Sequence, residues 1–464
     1  MRRSLLLLAG AAVVSTGAAL LSDDEPTAAS LGGAPLTAPA PLTTPAPATL
    51  AAGASPPSPS APPTPAPPQA SAPATSAGVT RPIAGALDLD RIERVGDHYE
   101  APTANGRRAV LTLDPELQPL AEKLLDQSRA PRGAIVVMAP DGRVLALAGR
   151  RTEDPKGSRT GTFDWRIATE SWGPAASIFK LVTASALVAA GTDPDGRVCF
   201  HGGLRSVMDS NLRDDKRDSR CESLSYGVAH SNNAILAKLA YQKLEPTMLD
   251  QAAKNFGIVA GAGGSLPGNE LPGVVGISDL PAVKDLSYAK AAAGFSNTTL
   301  SAAGGALIAA TFATDGAQPI PRLIASIDGV IHHGSPARRT ISAETARAVA
   351  RMMVGTCDGG SAAKSFRGKA QRGRYAGKTG TLSRNTPFFM EHSWFVGFAP
   401  ADKPEVVVSV VLGNPESWHL RGHEAARRLF DRALHTAPSE AAEPHRGKDR
   451  SAKKPTRRRV NKRR

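Results

Sequence analysis

Cysteine is scarce in this chain, with three in 464 residues, at Cys199, Cys221 and Cys357. No two of them form a Cys-x-x-Cys or other metal-ligand spacing, which argues against a zinc site. In an exported protein, where thiols oxidise, Cys199 and Cys221 are candidates for a disulfide across a polar loop. Charge is missing elsewhere. Residues 26–80 contain no Asp, Glu, Lys or Arg, and 15 prolines fall between Pro26 and Pro73. Such a stretch cannot bury enough apolar surface to offset its ordering entropy, so residues 23–80 read as a disordered Pro/Ala-rich linker. It is either a tether holding a domain away from a membrane or a plain spacer. No internal repeat is present, which argues against a repeat architecture.

What is present at the two ends concerns location. Arg2 and Arg3 precede an uncharged, mostly apolar run over residues 5–21. Residues 1–22 therefore read as a signal peptide or a short membrane anchor. No cysteine follows the run, so a lipoprotein anchor is not supported. The expected location is exported, periplasmic or extracytoplasmic, with residues 5–21 as the candidate inner-membrane anchor. The formal charge is +14, but Arg446–Arg464 holds eleven Lys or Arg and one acid, which leaves only +4 for the rest. Residues 437–464 read as a basic disordered tail, either solubilising or bound to an anionic lipid or polymer. With an exported N-terminus, nucleic acid is not an expected partner.

Residues 81–104 read as a short lead-in, and one folded domain spans 105–436. Asp114 and Pro115 suit a helix start, and Leu117, Leu120, Leu124 and Leu125 follow at helical spacing. In "GAIVVMAPDGRVLALAG" two apolar runs flank Pro140-Asp141-Gly142, a hairpin signal. "HSWFVGFAP" and "PEVVVSVVLG" make a second strand pair, and "GHEAARRLFDRALHT" reads as a closing amphipathic helix. Helical patterns at 177–190, 228–242, 300–313 and 342–354 lie between the two strand pairs. The expected fold is α+β. A central antiparallel sheet of about five strands carries helices on both faces and a helical insertion.

Three short motifs carry chemistry. Ser177 and Lys180 stand three residues apart, on one face of an apolar helix. A serine hydroxyl needs a base before it attacks, and a lysine serves as that base only when neutral. The apolar neighbours Ile178, Phe179, Leu181 and Val182 supply the desolvation that favours the neutral form. "AHSNNAIL" places Ser231 and Asn233 at a helix start, one fit to relay a proton and the other to bind an amide. "GKTGT" supplies Lys378, Thr379 and Thr381, which attract a carboxylate. Its Gly380 lets a substrate backbone approach a strand.

In this order the three motifs, with the flanking strand pairs, resemble the transpeptidase domain of penicillin-binding proteins over residues 107–435. The resemblance implies an acyl-enzyme on Ser177 with Lys180 as proton acceptor. It gives Ser231 the passage of the proton to the leaving group and Asn233 the orientation of Lys180 and substrate. Lys378, Thr379 and Thr381 would hold the substrate's terminal carboxylate. The backbone N–H groups of Ser177 and Thr381 would form the oxyanion hole. The implied substrates are peptidoglycan stem peptides, with β-lactams as inhibitors, acidic wall polymer as a candidate tail ligand and no metal or organic cofactor. The stretch before residue 105 is too short and too linker-like for a glycosyltransferase domain. Two departures stand out. The family usually has Pro-Gly-Ser before the lysine helix and an aromatic upstream. Here "WGPAAS" puts Ala175 and Ala176 before Ser177, with Trp172 as the candidate aromatic. The same scaffold also allows a D,D-carboxypeptidase or a β-lactamase, for which Glu270 in "GNELPG" is the candidate water-activating carboxylate. A non-catalytic wall- or partner-binding protein is the other alternative.

Overall fold

Apolar runs from opposite ends of the folded region meet in one antiparallel sheet. Its strands run Ala376–Arg384, Met390–Ala399, Val406–Asn414, Arg132–Met138, Val144–Arg151 and Thr162–Phe163, in that spatial order. Five of these are long, and the two-residue Thr162–Phe163 adds a sixth at one edge. The computed structural model describes residues 87–436, apart from 152–161, 204–205, 296, 369–370 and 386–387. The expected signal or anchor, the linker and the basic tail lie outside the described residues. Among the described residues, no helix is long and apolar enough to cross a membrane.

Alternation along the strands decides which side chain faces which layer. Ile135, Val137, Val408, Val410 and Leu412 face one core with Leu117, Ala121 and Leu124 of α1 (Leu117–Ser128). Leu429 and Phe430 of α9 (Gly422–Thr436) complete it. Val136, Met138, Val407 and Val411 face the larger core on the other side. Helices therefore cover both faces, which is why the runs "AIVVM" and "VVVSVVL" are apolar throughout except for the buried Ser409. Asp114 starts α1: its Oδ1 accepts the N–H groups of Glu116 and Leu117 at 2.9 and 2.8 Å. In the hairpin at Pro140-Asp141-Gly142, Gly142 has φ +94°, and a Cβ there would lie 2.2 Å from the Ile320 carbonyl oxygen.

The helical insertion surrounds α2 (Phe179–Ala189), in which every residue from Phe179 to Leu187 is buried. A helix apolar all round belongs inside, and α2 packs against α4 (Asn233–Lys243), α5 (Pro246–Asn255) and α8 (Ala343–Asp358). The pattern expected as one helix over 228–242 is broken. α3 (Leu224–Ala229) stops, Ser231 takes a left-handed φ of +56°, and α4 restarts with Asn232 accepting the Ile235 N–H. α6 (Leu286–Ala292) and α7 (Ala302–Ala313) complete the insertion. The lead-in is folded from Leu87 onward. Strands Glu93–Val95, His98–Pro102 and Arg108–Leu111 form an antiparallel sheet with Ile324–Ile327 and Val330–Ile331.

Candidate active site

The backbone before Ser177 is held from two sides. Gly173–Pro174 pairs with Thr298–Leu300, and the Ala175 N–H donates to the Thr298 carbonyl at 2.9 Å. The Trp394 indole N–H donates to the Pro174 carbonyl at 2.9 Å. Ala176 then takes φ +48°, a left-handed conformation that costs a residue with a Cβ about 1–2 kcal/mol. In this chain the left-handed position of the turn is occupied by an alanine, where the expected family sequence is Pro-Gly-Ser. A single 3₁₀ turn (Ala176–Ile178) leads into α2, with Ser177 at its head and Lys180 one turn on. The edge strand Ala376–Arg384 passes over this turn at Gly380. A Cβ there would come within 3.2–3.4 Å of Trp394, Ile178 and Ala176.

Two hydrogen-bonded groups meet at the cleft, Lys180 with Ser177 and Asn233, and Lys378 with Ser231. Lys180 is fully buried. Its Nζ lies 2.7 Å from Ser177 Oγ, 2.8 Å from Asn233 Oδ1 and 2.7 Å from the Ala293 carbonyl oxygen. The last two are acceptors and each takes one N–H. A neutral amine then has its lone pair left for the Ser177 hydroxyl proton. Burial, and after it the charge of Lys378, push the Lys180 ammonium well below the ordinary lysine range. Lys378 is also fully buried, and burial lowers it to about 7. Its Nζ donates to Ser231 Oγ and to the Thr379 carbonyl, both at 2.9 Å. Thr379 Oγ1 is 2.5 Å from Ser361 Oγ.

The two groups open into a cleft of about 510 Å³ lined by Ser177, Ser231, Asn233, Thr379 and Thr381. His230, Phe295, Ser361, Arg421 and His423 also line it. None of the described lining residues is an Asp or a Glu. Glu270 is engaged elsewhere. Its Oε2 accepts the N–H groups of Leu323 and Ile324 at 2.7 and 2.8 Å, and its Oε1 pairs with His332 at 2.7 Å.

Residues 133–435 match the family model described as the penicillin binding protein transpeptidase domain. The chain belongs to this family. Penicillin-binding protein PbpB of Mycobacterium tuberculosis is 27% identical over 353 residues, covering 69% of this chain and 50% of that protein. Peptidoglycan D,D-transpeptidase PbpA of Mycolicibacterium smegmatis is 25% identical over 358 residues, covering 69% and 70%. The chain spans about half the length of the PbpB relatives. Among solved structures, PBPA from Mycobacterium tuberculosis superposes with a TM-score of 0.57 at 23% identity, covering 71% of this chain and 83% of that one. The D,D-transpeptidase domain of a peptidoglycan glycosyltransferase from Eggerthella lenta gives 0.56 at 25% identity, covering 71% and 83%.

Trp172, the candidate upstream aromatic, is not among the residues that line the cleft. It donates its indole N–H to the Ile167 carbonyl at 2.9 Å and packs on His392. Sequence reasoning missed His230, Ser361, Phe295, Arg421 and His423. His230 directly precedes Ser231 in the second motif, the other four lie outside the three motifs, and no local pattern marks any of them as cleft residues. Cys199 and Cys221 face each other across the short strands Val198–Phe200 and Arg220–Glu222, with their sulfurs bonded. Cys357 is buried as a free thiol.

Proposed function

We propose that the chain is a penicillin-binding serine D,D-transpeptidase that forms an acyl-enzyme on Ser177. The observation that carries this reading is Lys180, buried among acceptors with its lone pair free for Ser177. In the first step Ser177 Oγ gives its proton to Lys180 Nζ and attacks the penultimate D-alanine carbonyl of a stem peptide. The N–H groups of Ser177 and Thr381 take the developing oxyanion. One lone pair of Ser231 Oγ accepts from Lys378, so Ser231 passes its own proton to the leaving nitrogen and takes in its place the proton that Lys180 received from Ser177. The C–N bond breaks, D-alanine departs, and Ser231 and Lys180 return to their starting protonation. An amine of a second stem peptide then resolves the ester and releases Ser177. Lys378, Thr379 and Thr381 hold the terminal carboxylate. A carboxylate beside Lys378 raises it back toward its charged form, and that charge in turn disfavours protonation of Lys180.

Solved relatives include ceftriaxone, imipenem and penicillin G acyl-enzymes of penicillin-binding protein A from Mycobacterium tuberculosis. β-Lactams would acylate Ser177 by the same step. A cleft without a carboxylate among its described residues favours slow hydrolysis of that adduct, and Glu270 is committed elsewhere. The Cys199–Cys221 bond suits an oxidising, extracytoplasmic compartment. The test is to incubate the full chain with a fluorescent penicillin and locate the label by peptide mass. Label on Ser177, absent in Ser177→Ala and nearly absent in Lys180→Ala, is the expected result. Wild-type protein without label on Ser177 would sink the proposal. Rapid drug turnover would point to a β-lactamase, and D-alanine release without cross-linking to a carboxypeptidase.

A further inference from the structure

Three lysines are buried among the described residues: Lys180, Lys238 and Lys378. Two belong to the cleft, and no salt bridge reaches either among the described residues. Lys238 differs. Its Nζ pairs with Asp218 Oδ2 at 2.7 Å and Asp214 Oδ1 at 2.9 Å, and donates to the Cys199 carbonyl at 2.9 Å. Asp218 Oδ1 lies 2.6 Å from His201 Nδ1, and His201 Nε2 lies 3.0 Å from Ser210 Oγ. Burial lowers the Lys238 ammonium, but the hydrogen bonds to the two carboxylates outweigh it and raise the group above the ordinary lysine range.

All these partners lie between Cys199 and Cys221, the segment that the disulfide closes. Lys238 therefore fastens that segment to the middle of α4. A second contact lies at the start of the helix, where the Asn233 N–H donates to the Gly203 carbonyl at 3.1 Å. Gly203 has φ +76°, and a Cβ there would stand 2.3 Å from the Ala234 Cβ. The segment thus touches α4 at its first residue and again more than one turn later. Two contacts along one helix fix both its axial position and its rotation. Asn233 rides on that turn, and its Oδ1 takes an N–H of Lys180.

We propose that Lys238 is a positioning residue, and that the disulfide-closed segment it holds sets the Asn233 carbonyl on which the acylation of Ser177 depends. The inference rests on the acyl-enzyme reading above. With Oδ1 displaced, Lys180 keeps one acceptor instead of two, and its lone pair is no longer aimed at the Ser177 hydroxyl. A displacement on the order of 1 Å at such a site can slow chemistry about a hundredfold. Acylation is then sensitive to reduction. A dithiol gives two electrons and two protons to the Cys199–Cys221 bond, becomes a disulfide itself, and leaves two thiols that no longer close the segment.

The test uses the full chain as wild type, Lys238→Met, Lys238→Arg and the pair Cys199→Ser with Cys221→Ser. Each is made alone and with Asn233→Ala. Penicillin labelling is followed by intact mass over hours, so that slow variants remain measurable. Both the rate constant and the final labelled fraction are read. Lys238→Met and the double serine variant should label roughly tenfold more slowly or worse, yet reach about one label per chain. Lys238→Arg should recover most of the rate, because a guanidinium also bridges two carboxylates. With Asn233→Ala already present, each loss should shrink below roughly threefold. Wild-type rates in both variants would overturn the proposal. So would a lower labelled fraction at an unchanged rate, which marks lost fold, or a loss that is undiminished without Asn233. A wild type that takes up no label overturns the acyl-enzyme reading and this inference with it.

Discussion

Gly191→Ala and Gly294→Ala place the same methyl group at two similar backbone positions with opposite surroundings. Gly191 follows α2 at φ +83°, and nothing lies within 4 Å of the space a Cβ would take. Gly294 follows α6 at φ +86°, where a Cβ would stand 2.1 Å from the Ala176 carbonyl oxygen and 3.3 Å from the Ser177 nitrogen. Both changes carry the left-handed cost of about 1–2 kcal/mol. Both recover about 0.4–1 kcal/mol from a less flexible unfolded chain. Gly191→Ala should therefore lose about 1 kcal/mol. Gly294→Ala adds overpacking of about 1–3 kcal/mol, because the obstacle is backbone that cannot rotate aside, and it should lose about 2–4 kcal/mol. Relief requires moving Ala176 with Ser177, or Ala293 with the carbonyl that Lys180 uses. Penicillin labelling of Gly294→Ala should slow roughly tenfold or more, while Gly191→Ala labels like wild type. Urea denaturation and labelling rates of the two variants decide it. Equal stability losses, with unchanged labelling in Gly294→Ala, would refute the reasoning.

Lys378 is lowered by burial from 10.5 to about 7, a displacement worth on the order of 5 kcal/mol. Between those values the unfolded chain holds the proton and the folded chain does not, so this penalty fades as pH rises. Below about 7 both states hold it and the penalty is complete. Lys378→Met should stabilise the fold most below about pH 7, by less than that ceiling because the Ser231 and Thr379 hydrogen bonds go, and a stability gain independent of pH would contradict this. Removing the Cys199–Cys221 bond, which spans 22 positions, should cost about 3 kcal/mol in urea denaturation, and a loss below about 1 kcal/mol would count against a constraint on the unfolded chain. Glu270→Gln should weaken the fold by about 1–2 kcal/mol through the His332 pair, yet leave deacylation of the penicillin adduct unchanged. A slower deacylation would place Glu270 in the chemistry.

Both strand pairs, the capping Asp114 and the Ser177–Lys180 relation were legible because each is local. Alternation, a turn or a one-turn spacing leaves its mark within a few residues. The sheet formed by residues 93–111 was not legible, because its strands are short and the sheet is extended only by Ile324–Ile327, far along the chain, which pairs with Arg108–Leu111. The break between α3 and α4 was hidden for a related reason. The polar run His230-Ser231-Asn232-Asn233 marks a helix start, but the left-handed turn at Ser231 carries no local signal, and the lysine that bonds its hydroxyl, Lys378, is distant in the chain. Glu270 looked available because its partners, Leu323, Ile324 and His332, are distant in the chain. His423 sits in an amphipathic helix signal, with Arg421 directly before it, and the start of that helix faces the cleft.

The order of strands in the central sheet has a consequence for how the chain folds. Val406–Asn414 lies between Met390–Ala399 and Arg132–Met138, with Val410 paired to Ile135. The middle of the sheet is thus its last strand to be synthesised, and it joins two halves separated by the whole helical insertion. Such non-local pairing folds slowly, because a long loop must close before the contacts reward it. Ser177 and Lys180 are made early but face the Lys378 strand only once that strand is anchored through the closing one. A chain ending before residue 406 carries Ser177, Lys180 and Lys378 but lacks the strand that joins the two halves of the sheet, so the cleft is expected to be among the last parts of the fold to assemble.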